Sequence, residues 1–389
     1  MLELTRQHTA ALQQRMQDLG VDLAILTDDD SIAYFGGFWG YLGVEFGRPT
    51  LLLIPRDGAP TVITPLMEAE MVAAMTWVED VRPWEDAGER RWERVLRQFL
   101  EALPAGTRFG WEPWRTPHAV AAVVGEHFDR AGVADLEPTI AKLRMIKSEA
   151  EIAIMRRAGE IAAAMMQATR DSLGVGVPEY ELAQAALTAG TRTAAGFLTE
   201  RGHEALISPT IHGLPILQSG SDTARVHRRA TVRAVRHGDP VYLCCCNLVR
   251  FKQYRLGFDR EFFVGTASDE MVRAYEVTVA AQQAALAAMR PGVPAEDVHL
   301  AAEAVYRDAG FAPGYRTGRA IGISELEAPE LKTGDRTPLA AGMTFAVDGG
   351  ISVPGRFGTR IGDSVVVTAD GFDYLTEFPR GLTVVADSG

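Results

Sequence analysis

The feature that most constrains the fold of this chain is a change in the pattern of predicted elements near residue 143. Before it, short apolar runs with strand character, such as VDLAILTD, alternate with segments whose apolar residues recur at helical spacing. After it, long helical patterns and strand-like runs are mixed without strict alternation. The sequence therefore predicts an α/β domain over residues 1–142 and an α+β domain over residues 143–389.

Periodicity places most of the elements. Apolar residues at helical spacing predict a helix that starts near Ser148 and further helices over residues 4–19, 67–77, 90–102, 117–131, 178–196, 268–289 and 295–309. Alternating or continuous apolar runs predict strands, among them TLLLIP, APTVITP, GDPVYLCCCNLVRF, DREFFVG, GMTFAVDGGI and RIGDSVVVT. The second domain is therefore expected to be built on strands that pair antiparallel and pack against long helices.

Composition excludes several classes of partner. The 389 residues carry a formal net charge of −12, which argues against a surface for nucleic acid or for an anionic membrane. No run of 18 uncharged apolar residues occurs, and the first 20 residues lack the basic start and apolar core of a signal peptide. We therefore expect a cytoplasmic protein that acts on a small polar molecule.

All three cysteines of the chain are adjacent, in the run VYLCCCNLV. Neighbouring cysteines rarely pair, so no disulfide is expected. Zinc sites space two cysteines by two to four residues and add a second pair of ligands, a pattern that this run lacks. On a strand, Cys244 and Cys246 would face one side and Cys245 the other. Core filling is the favoured interpretation, and a nucleophilic Cys244 or Cys246 remains an alternative.

Four landmarks carry a family resemblance: RMIKSEAEI, GDPVYL, AAGMTFAVDGG and RIGDSVVVTADG. In this order, they resemble the pita-bread family of creatinase, aminopeptidase P, prolidase and methionine aminopeptidase. The resemblance extends over nearly the whole chain. It implies a pita-bread C-terminal domain preceded by a smaller α/β N-terminal domain.

The peptidases of this family hold two divalent metals with carboxylates and a histidine, and the resemblance indicates which residues stand at those positions here. Cys244 and Gly257 replace two aspartates, Arg319 replaces the histidine, and Gly362 replaces a glutamate. Only Asp348 keeps a carboxylate. A pair of hard cations needs charged oxygen ligands. We therefore predict no metal and no other cofactor.

Among the family, the metal-free creatinases and ectoine hydrolases are the most similar to this chain. The run FGRP, Phe46 to Pro49, matches a creatinase element that reaches the active site of the partner subunit. The resemblance implies a homodimer whose sites are shared between subunits. Phe46 and Arg48 would then bind substrate, with the guanidinium of Arg48 holding a substrate carboxylate.

The resemblance also assigns the chemistry. His227 stands at the spacing of the creatinase catalytic histidine, and an imidazole suits both removal and delivery of a proton. Asp259 and Asp348 align with the two glutamates that bind the nitrogenous group of creatine. All three are predicted catalytic residues.

Three more residues are predicted to contact substrate. Arg255 and Arg319 are candidates for a second carboxylate clamp, since the segment that carries the creatinase arginine is shorter here. Cys244 occupies the position of a glutamate that participates in ring opening in ectoine hydrolases. The element YRTGRAIGIS is closer to ectoine hydrolases than to creatinase.

These residues predict a metal-independent hydrolase of an amidino, amide or cyclic amidine C–N bond in a small carboxylate-bearing substrate. Two alternatives remain open. The first is a lyase on the same fold, in which His227 or Asp348 removes a proton next to a carboxylate. The second is a ligand-binding protein without catalytic activity.

Overall fold

The computed structural model describes residues 2–40, 42, 47–88, 91–127, 132–200, 206–211, 213, 215–246 and 248–387. The chain divides into two compact units, Met1–Leu143 and Arg144–Gly389. None of the described helices combines the length and the apolar character that crossing a bilayer requires.

The first unit is built on a mixed sheet with the strand order β4-β3-β2-β1-β5-β6. Its strands are β1 (Leu23–Leu26), β2 (Leu51–Pro55), β3 (Thr61–Pro65), β4 (Asp80–Trp84), β5 (Phe109–Trp111) and β6 (Ala134–Asp135). Its helices are α1 (Leu2–Leu19), α2 (Asp29–Gly36), α3 (Leu66–Met75), α4 (Trp92–Glu101), α5 (His118–His127) and α6 (Glu137–Met145), the last of which runs into the second unit. Apolar side chains of the sheet pack against α4 and α5, as the alternating pattern predicts.

The second unit contains a nine-stranded sheet with a main path in the order β13-β12-β14-β15-β11-β8-β7. Its helices are α7 (Glu149–Ser172), α8 (Glu179–Glu200), α9 (Asp269–Ala288) and α10 (Ala295–Asp308), and a 3-10 helix covers Gly220–Ala224. Its strands are β7 (Ile216–Ser219), β8 (Pro240–Cys244), β9 (Arg250–Phe251), β10 (Tyr254–Arg255), β11 (Asp259–Val264), β12 (Gly318–Ala320), β13 (Glu327–Leu331), β14 (Thr344–Val353), β15 (Phe357–Val367), β16 (Phe372–Tyr374) and β17 (Val384–Val385).

Local sequence explains where the first long helix of this unit begins. Ser148 caps α7 and accepts a hydrogen bond from the Glu151 N–H, while the Glu151 carboxylate accepts one from the Ser148 N–H. This reciprocal arrangement satisfies two amide groups that the start of a helix otherwise leaves without partners. The predicted start of the helix near Ser148 is confirmed.

Side-chain alternation along β14 separates two apolar clusters. Phe345 and Val347 pack with α9 and α10, whereas Ala346 belongs to the cluster formed with α7 and α8. Because successive residues of a strand face opposite sides of a sheet, Asp348 lies on the same face as Ala346. That face carries the candidate site.

Candidate functional site

Strand pairing brings four positions into one line across the sheet. Cys244 of β8 is opposite Asp259 of β11, Asp259 is opposite Gly362 of β15, and Gly362 is opposite Asp348 of β14. Directly opposed residues present their side chains on the same face. We call this line the carboxylate row. It consists of a thiol, a carboxylate, a position without a side chain, and a second carboxylate.

Asp259 is buried, with 4% of its surface exposed. A Cβ atom built at Gly362 would lie only 2.8 Å from the Asp259 Oδ2, so the carboxylate occupies the space that the glycine leaves. Burial raises the pKa of the Asp259 carboxyl to about 6, and the charge of Asp348 adds to the rise, although Arg319 opposes it. Asp259 therefore exchanges its proton near neutral pH, as an acid–base catalyst must.

Asp348 is in a different environment. Arg319 Nη1 donates to the Asp348 Oδ2 at 2.7 Å, and Arg319 Nη2 donates to the Glu325 Oε1 at 2.5 Å. The Arg319 side chain is 7% exposed and lies between these two carboxylates. Its predicted role as a clamp for a substrate carboxylate stays a prediction, because in the structure it binds carboxylates of the protein.

Arg255 lies in β10, with its backbone N–H donating to the Gly322 carbonyl at 2.8 Å. Its predicted contact with substrate stays a prediction.

The strand predicted over GDPVYLCCCNLVRF ends at Cys244, although Cys244 and Cys246 still share one side, as predicted. Cys244 and Cys246 lie on the side of Asp259, where the Cys246 N–H donates to the Cys244 sulfur at 3.3 Å. The Cys246 thiol donates to the Asp259 Oδ1 at 3.6 Å. Cys245 is buried in the apolar cluster, and its N–H donates to the Phe258 carbonyl. Cys244 and Cys245 are thus both buried, whereas Cys246 is partly exposed.

His227 lies in an exposed turn that follows the 3-10 helix. The next residue, Arg228, forms an ion pair with the buried Glu179 at 2.6 Å, and Gln218 Nε2 donates to the Arg228 carbonyl. These contacts hold the loop, but in the described part of the chain His227 makes no contact with the carboxylate row. Its predicted role as general base stays a prediction.

The residues expected to reach a partner subunit belong to the first unit. Arg48 Nη2 donates to the Asp86 Oδ2 at 2.6 Å, and its Nη1 lies 3.4 Å from the Met67 sulfur. Phe46 lies outside the described residues. The salt bridge with Asp86 shows that Arg48 already has a partner within its own unit.

Sequence reasoning left out one member of the site and the local geometry of another. Glu325 follows the glycine-punctuated stretch, and the signal was an acidic residue directly after GIS. Cys246 was grouped with Cys244 by strand alternation, but its contact with Asp259 depends on a turn. Because β8 ends at Cys244, the chain bends and brings the Cys246 sulfur back towards the strand.

The residues do not fit a dinuclear metal centre. A Cβ atom at Gly257 would lie 2.5 Å from the Ala346 Cβ, and one at Gly362 would press on the Asp259 carboxylate. Neither position has room for a ligating side chain without rearrangement. Arg319 adds a positive charge where the family has a histidine ligand. The ligand cage of a dinuclear metallopeptidase is therefore absent from the described residues.

One smaller group of metal-binding atoms exists. The sulfur atoms of Cys244 and Cys246 and a carboxylate oxygen of Asp259 lie within 4.8 Å of one another. The two sulfur atoms are therefore close enough to share one metal ion, which the spacing argument against zinc did not anticipate. A hydrogen bond with Cys246 and burial raise the pKa of Cys244. A hydrogen bond with Cys244 lowers that of Cys246, but burial and Asp259 raise it overall. The group offers three ligand atoms, one fewer than a structural zinc site requires, and we assign no metal here.

A cavity borders the Asp348 end of the row. Its lining includes His299 and Tyr306 of α10, together with Arg316 and Thr317. The His299 Nδ1 lies 2.8 Å from the Thr317 Oγ1, and burial lowers the pKa of the imidazole. The cavity is therefore lined by both neutral and charged hydrogen-bonding groups, since Glu303 and Arg316 also border it.

Comparisons with known proteins agree with the fold and the domain order. The pattern of metallopeptidase family M24 matches residues 153–369, and that of the creatinase/prolidase N-terminal domain matches residues 9–146. The chain is 30% identical over 387 residues to the agropine synthesis cyclase of Rhizobium rhizogenes, covering 96% of this chain and 95% of that protein. It is 27% identical to the Xaa-Pro dipeptidase of Lactobacillus delbrueckii subsp. lactis, covering 96% of this chain and 98% of that enzyme.

A solved structure gives the same result. The prolidase from Thermococcus sibiricus superposes with a TM-score of 0.84 at 25% identity, over 99% of this chain and all of that one. The predicted relationship to the creatinase and prolidase group, and the predicted pita-bread fold, are confirmed. The chain belongs to metallopeptidase family M24 and combines its catalytic fold with a creatinase/prolidase N-terminal domain.

Proposed function

We propose that this chain hydrolyses an amidino, amide or cyclic amidine C–N bond in a small substrate that carries a carboxylate, without a dinuclear metal centre. The observation that supports this most is the carboxylate row, in which Asp259 and Asp348 flank the bare position of Gly362. One carboxyl is buried with a raised pKa, and the other is held by an arginine. Carboxylates in contrasting environments are how many hydrolases divide acid–base and binding roles.

Each carboxylate has a part in this chemistry. Cleavage of a C–N bond requires a proton to leave the attacking water and a proton to reach the departing nitrogen. Asp259 can do both in turn, because a group with a pKa of about 6 exists in both forms near neutral pH. Asp348, fixed by Arg319, accepts hydrogen bonds from N–H groups of the substrate.

His227 is proposed as a second proton carrier, on the strength of its creatinase-like spacing. His227→Gln is then expected to lower kcat about 10²- to 10⁴-fold. His237→Gln is a matched control, because His237 is also exposed and contacts Asp387 rather than the site. An unchanged rate in His227→Gln would remove this residue from the mechanism and leave Asp259 as the proton carrier.

Arg48 is proposed to anchor the substrate carboxylate of a neighbouring subunit in a homodimer. Subunit complementation tests this directly. Arg48→Ala and Asp259→Asn are each expected to be inactive alone. If Arg48 serves the neighbour, a mixed dimer regains one intact site, and co-refolding the two variants restores activity. No recovery would mean that Arg48 acts in its own subunit or not at all.

A second candidate is ring closure, favoured by the full-length similarity to agropine synthesis cyclase. The same proton transfers would serve a reaction in which a nucleophile of the substrate itself takes the place of water. Solvent labelled with oxygen-18 separates the two reactions. Hydrolysis places the label in the product, whereas ring closure gives an unlabelled cyclic product. An unlabelled alkene would instead favour the lyase alternative.

The decisive experiment is mass spectrometry of the purified protein with a panel of possible substrates. The panel contains N-amidino and N-carbamoyl amino acids, ectoine and Xaa-Pro dipeptides, each with and without EDTA. The proposal predicts turnover of a non-peptide substrate that survives EDTA and is lost in Asp259→Asn. Turnover of dipeptides alone, or turnover abolished by EDTA and restored by a divalent metal, would contradict it.

A further inference from the structure

Cys246 is the cysteine that meets both the solvent and the reactive carboxylate. Cys244 and Cys245 are buried, whereas Cys246 is partly exposed. Its thiol lies 3.6 Å from the Asp259 Oδ1, which is hydrogen-bond contact for sulfur. A nucleophile beside a group that accepts its proton is the common arrangement in covalent catalysis. The proposed hydrolysis by Asp259 and water assigns no role to this thiol.

The position of Arg319 beside Cys246 indicates which substrate atoms could react there. The Cys246 sulfur and the Arg319 Nη2 both lie within 3.6 Å of one point, the position of a Cβ built at Gly257. Arg319 is bound to Asp348 and Glu325, but its Nη2 lies on the side of Cys246, where an N–H group can donate to a substrate oxygen that becomes negatively charged. A carbonyl carbon fits this requirement, since its oxygen gains negative charge on attack.

We propose that the Cys246 thiol is the nucleophile of this site and that the substrate is an acyl compound, an amide or a cyclic amide, attacked at its carbonyl carbon. This inference rests on the proposed function and narrows its substrate class. Asp259 serves as the base for the thiol. Arg319 remains bound to Asp348 and Glu325 and stabilises the charge on the carbonyl oxygen.

The reaction balances in two steps. The sulfur attacks the carbonyl carbon, its proton passes to Asp259, the C–N bond breaks, and Asp259 gives the proton to the departing amine. This leaves a thioester on Cys246. In the second step, water or a nucleophile of the same substrate attacks the thioester and gives its proton to Asp259. The C–S bond breaks, and Asp259 returns the proton to the sulfur. No oxidant or reductant is needed.

An activated ester tests the first step without knowledge of the natural substrate. The full chain is mixed with p-nitrophenyl acetate, and the release of nitrophenolate is followed together with the intact mass. The proposal predicts a burst of about one nitrophenolate per chain and the mass of one acetyl group. Trypsin then releases residues 237–250, which contain all three cysteines, and fragmentation locates the acetyl group. It is expected on Cys246.

Three variants complete the test. Cys246→Ala is expected to lose the burst, and Asp259→Asn to slow acylation at least about a hundredfold. Cys245→Ala is the matched control in the same segment and is expected to label like the wild type, with folding of each variant checked by circular dichroism. Acetylation elsewhere in the wild type, or an unchanged burst in Cys246→Ala, would overturn the proposal.

Failure of this inference can be distinguished from failure of the proposed function. With a substrate found in the panel, turnover that Cys246→Ala keeps and Asp259→Asn loses would overturn the thiol nucleophile and leave direct attack by water. Turnover that neither substitution affects would overturn the proposed function as well. A thioester between substrate and Cys246, detected by acid quenching, is the result that supports both.

Discussion

Two buried aspartates on opposite faces of the same pair of strands have very different hydrogen-bond partners. Asp259 faces the carboxylate row, whereas Asp363, next to Gly362, faces the other way. Asp363 accepts hydrogen bonds from the side chains of Arg260, Gln282, Thr376 and Arg380. A buried charge with this many donors is stabilised in place.

Asp259 lacks such donors. Its side-chain donors are the thiols of Cys244 and Cys246, the latter at 3.6 Å, while the charge of Arg319 attracts it and that of Asp348 repels it. Burial without strong donors raises its pKa, whereas the partners of Asp363 fill both of its oxygens. The network around Asp363 stabilises the sheet, whereas the environment of Asp259 destabilises its charged form and suits the proton transfer proposed for it.

The largest effect is expected from removing Asp363. Asp363→Ala leaves Arg260, which is 1% exposed, without its buried partner. Breaking a buried ion pair in this way destabilises proteins by about 3 to 5 kcal/mol. Urea unfolding followed by circular dichroism measures the loss. A change below about 1 kcal/mol would show that the network contributes little and would remove the contrast with Asp259.

Asp259→Asn is expected to act in the opposite direction. An unfolded aspartate loses its proton near pH 4, whereas folded Asp259 keeps it until about pH 6. The contribution of Asp259 to stability therefore falls as the pH rises from 4 to 6, by up to about 3 kcal/mol, and Asn removes this loss. The variant should be more stable than the wild type above pH 6 and equal to it below pH 4. Thermal melts at several pH values test this, and a variant less stable at pH 7 would contradict it.

Gly362→Ala probes the bare position between the two carboxylates. The added methyl group would meet the Asp259 carboxylate at 2.8 Å and force it to move. Crowding of this kind costs about 1 to 3 kcal/mol. The loss of kcat should be larger than the loss of stability alone would cause, because the displaced group is the proposed proton carrier. A variant with full kcat would show that the position of the Asp259 side chain does not matter.

The smallest effect is expected at an exposed carboxylate. Asp373 has a 59% exposed side chain and lies 3.4 Å from Arg156. Exposed ion pairs contribute about 0 to 1 kcal/mol. Asp373→Ala should therefore change the free energy of unfolding by less than about 1 kcal/mol and leave activity unchanged. It is the matched control for Asp363→Ala, and a larger loss would mean that burial does not separate the two classes of carboxylate.

Much of the fold could be predicted from the sequence, because long helices and apolar strands leave a clear period. The helix α2 (Asp29–Gly36) was not predicted. All but its first residue are buried, so it lacks the polar face that reveals a surface helix. Strand β13 (Glu327–Leu331) was also not predicted, since it contains glutamates and a proline. A helix that is buried on all sides and an edge strand with polar residues both lack the periodic pattern of apolar residues from which elements are predicted.

The site was predictable only in part. Motif spacing identified Cys244, Asp259 and Asp348, and strand pairing places all three in one row. The contact between Cys246 and Asp259 depends on the turn after β8, and the binding of Arg319 to Glu325 depends on the loop after β12. Such contacts follow from how loops fold back on the sheet, which residue spacing does not encode.

The most direct test of this account is the titration of the Asp259 carboxyl itself. Infrared difference spectra of protein with carbon-13-labelled aspartate, compared between the wild type and Asp259→Asn, isolate its protonated carbonyl band. The account predicts a band that disappears as the pH passes through about 6 and that is missing in the variant. A carboxyl already ionised at pH 5 would contradict it, because Asp259 would then lack the raised pKa that proton transfer near neutral pH requires.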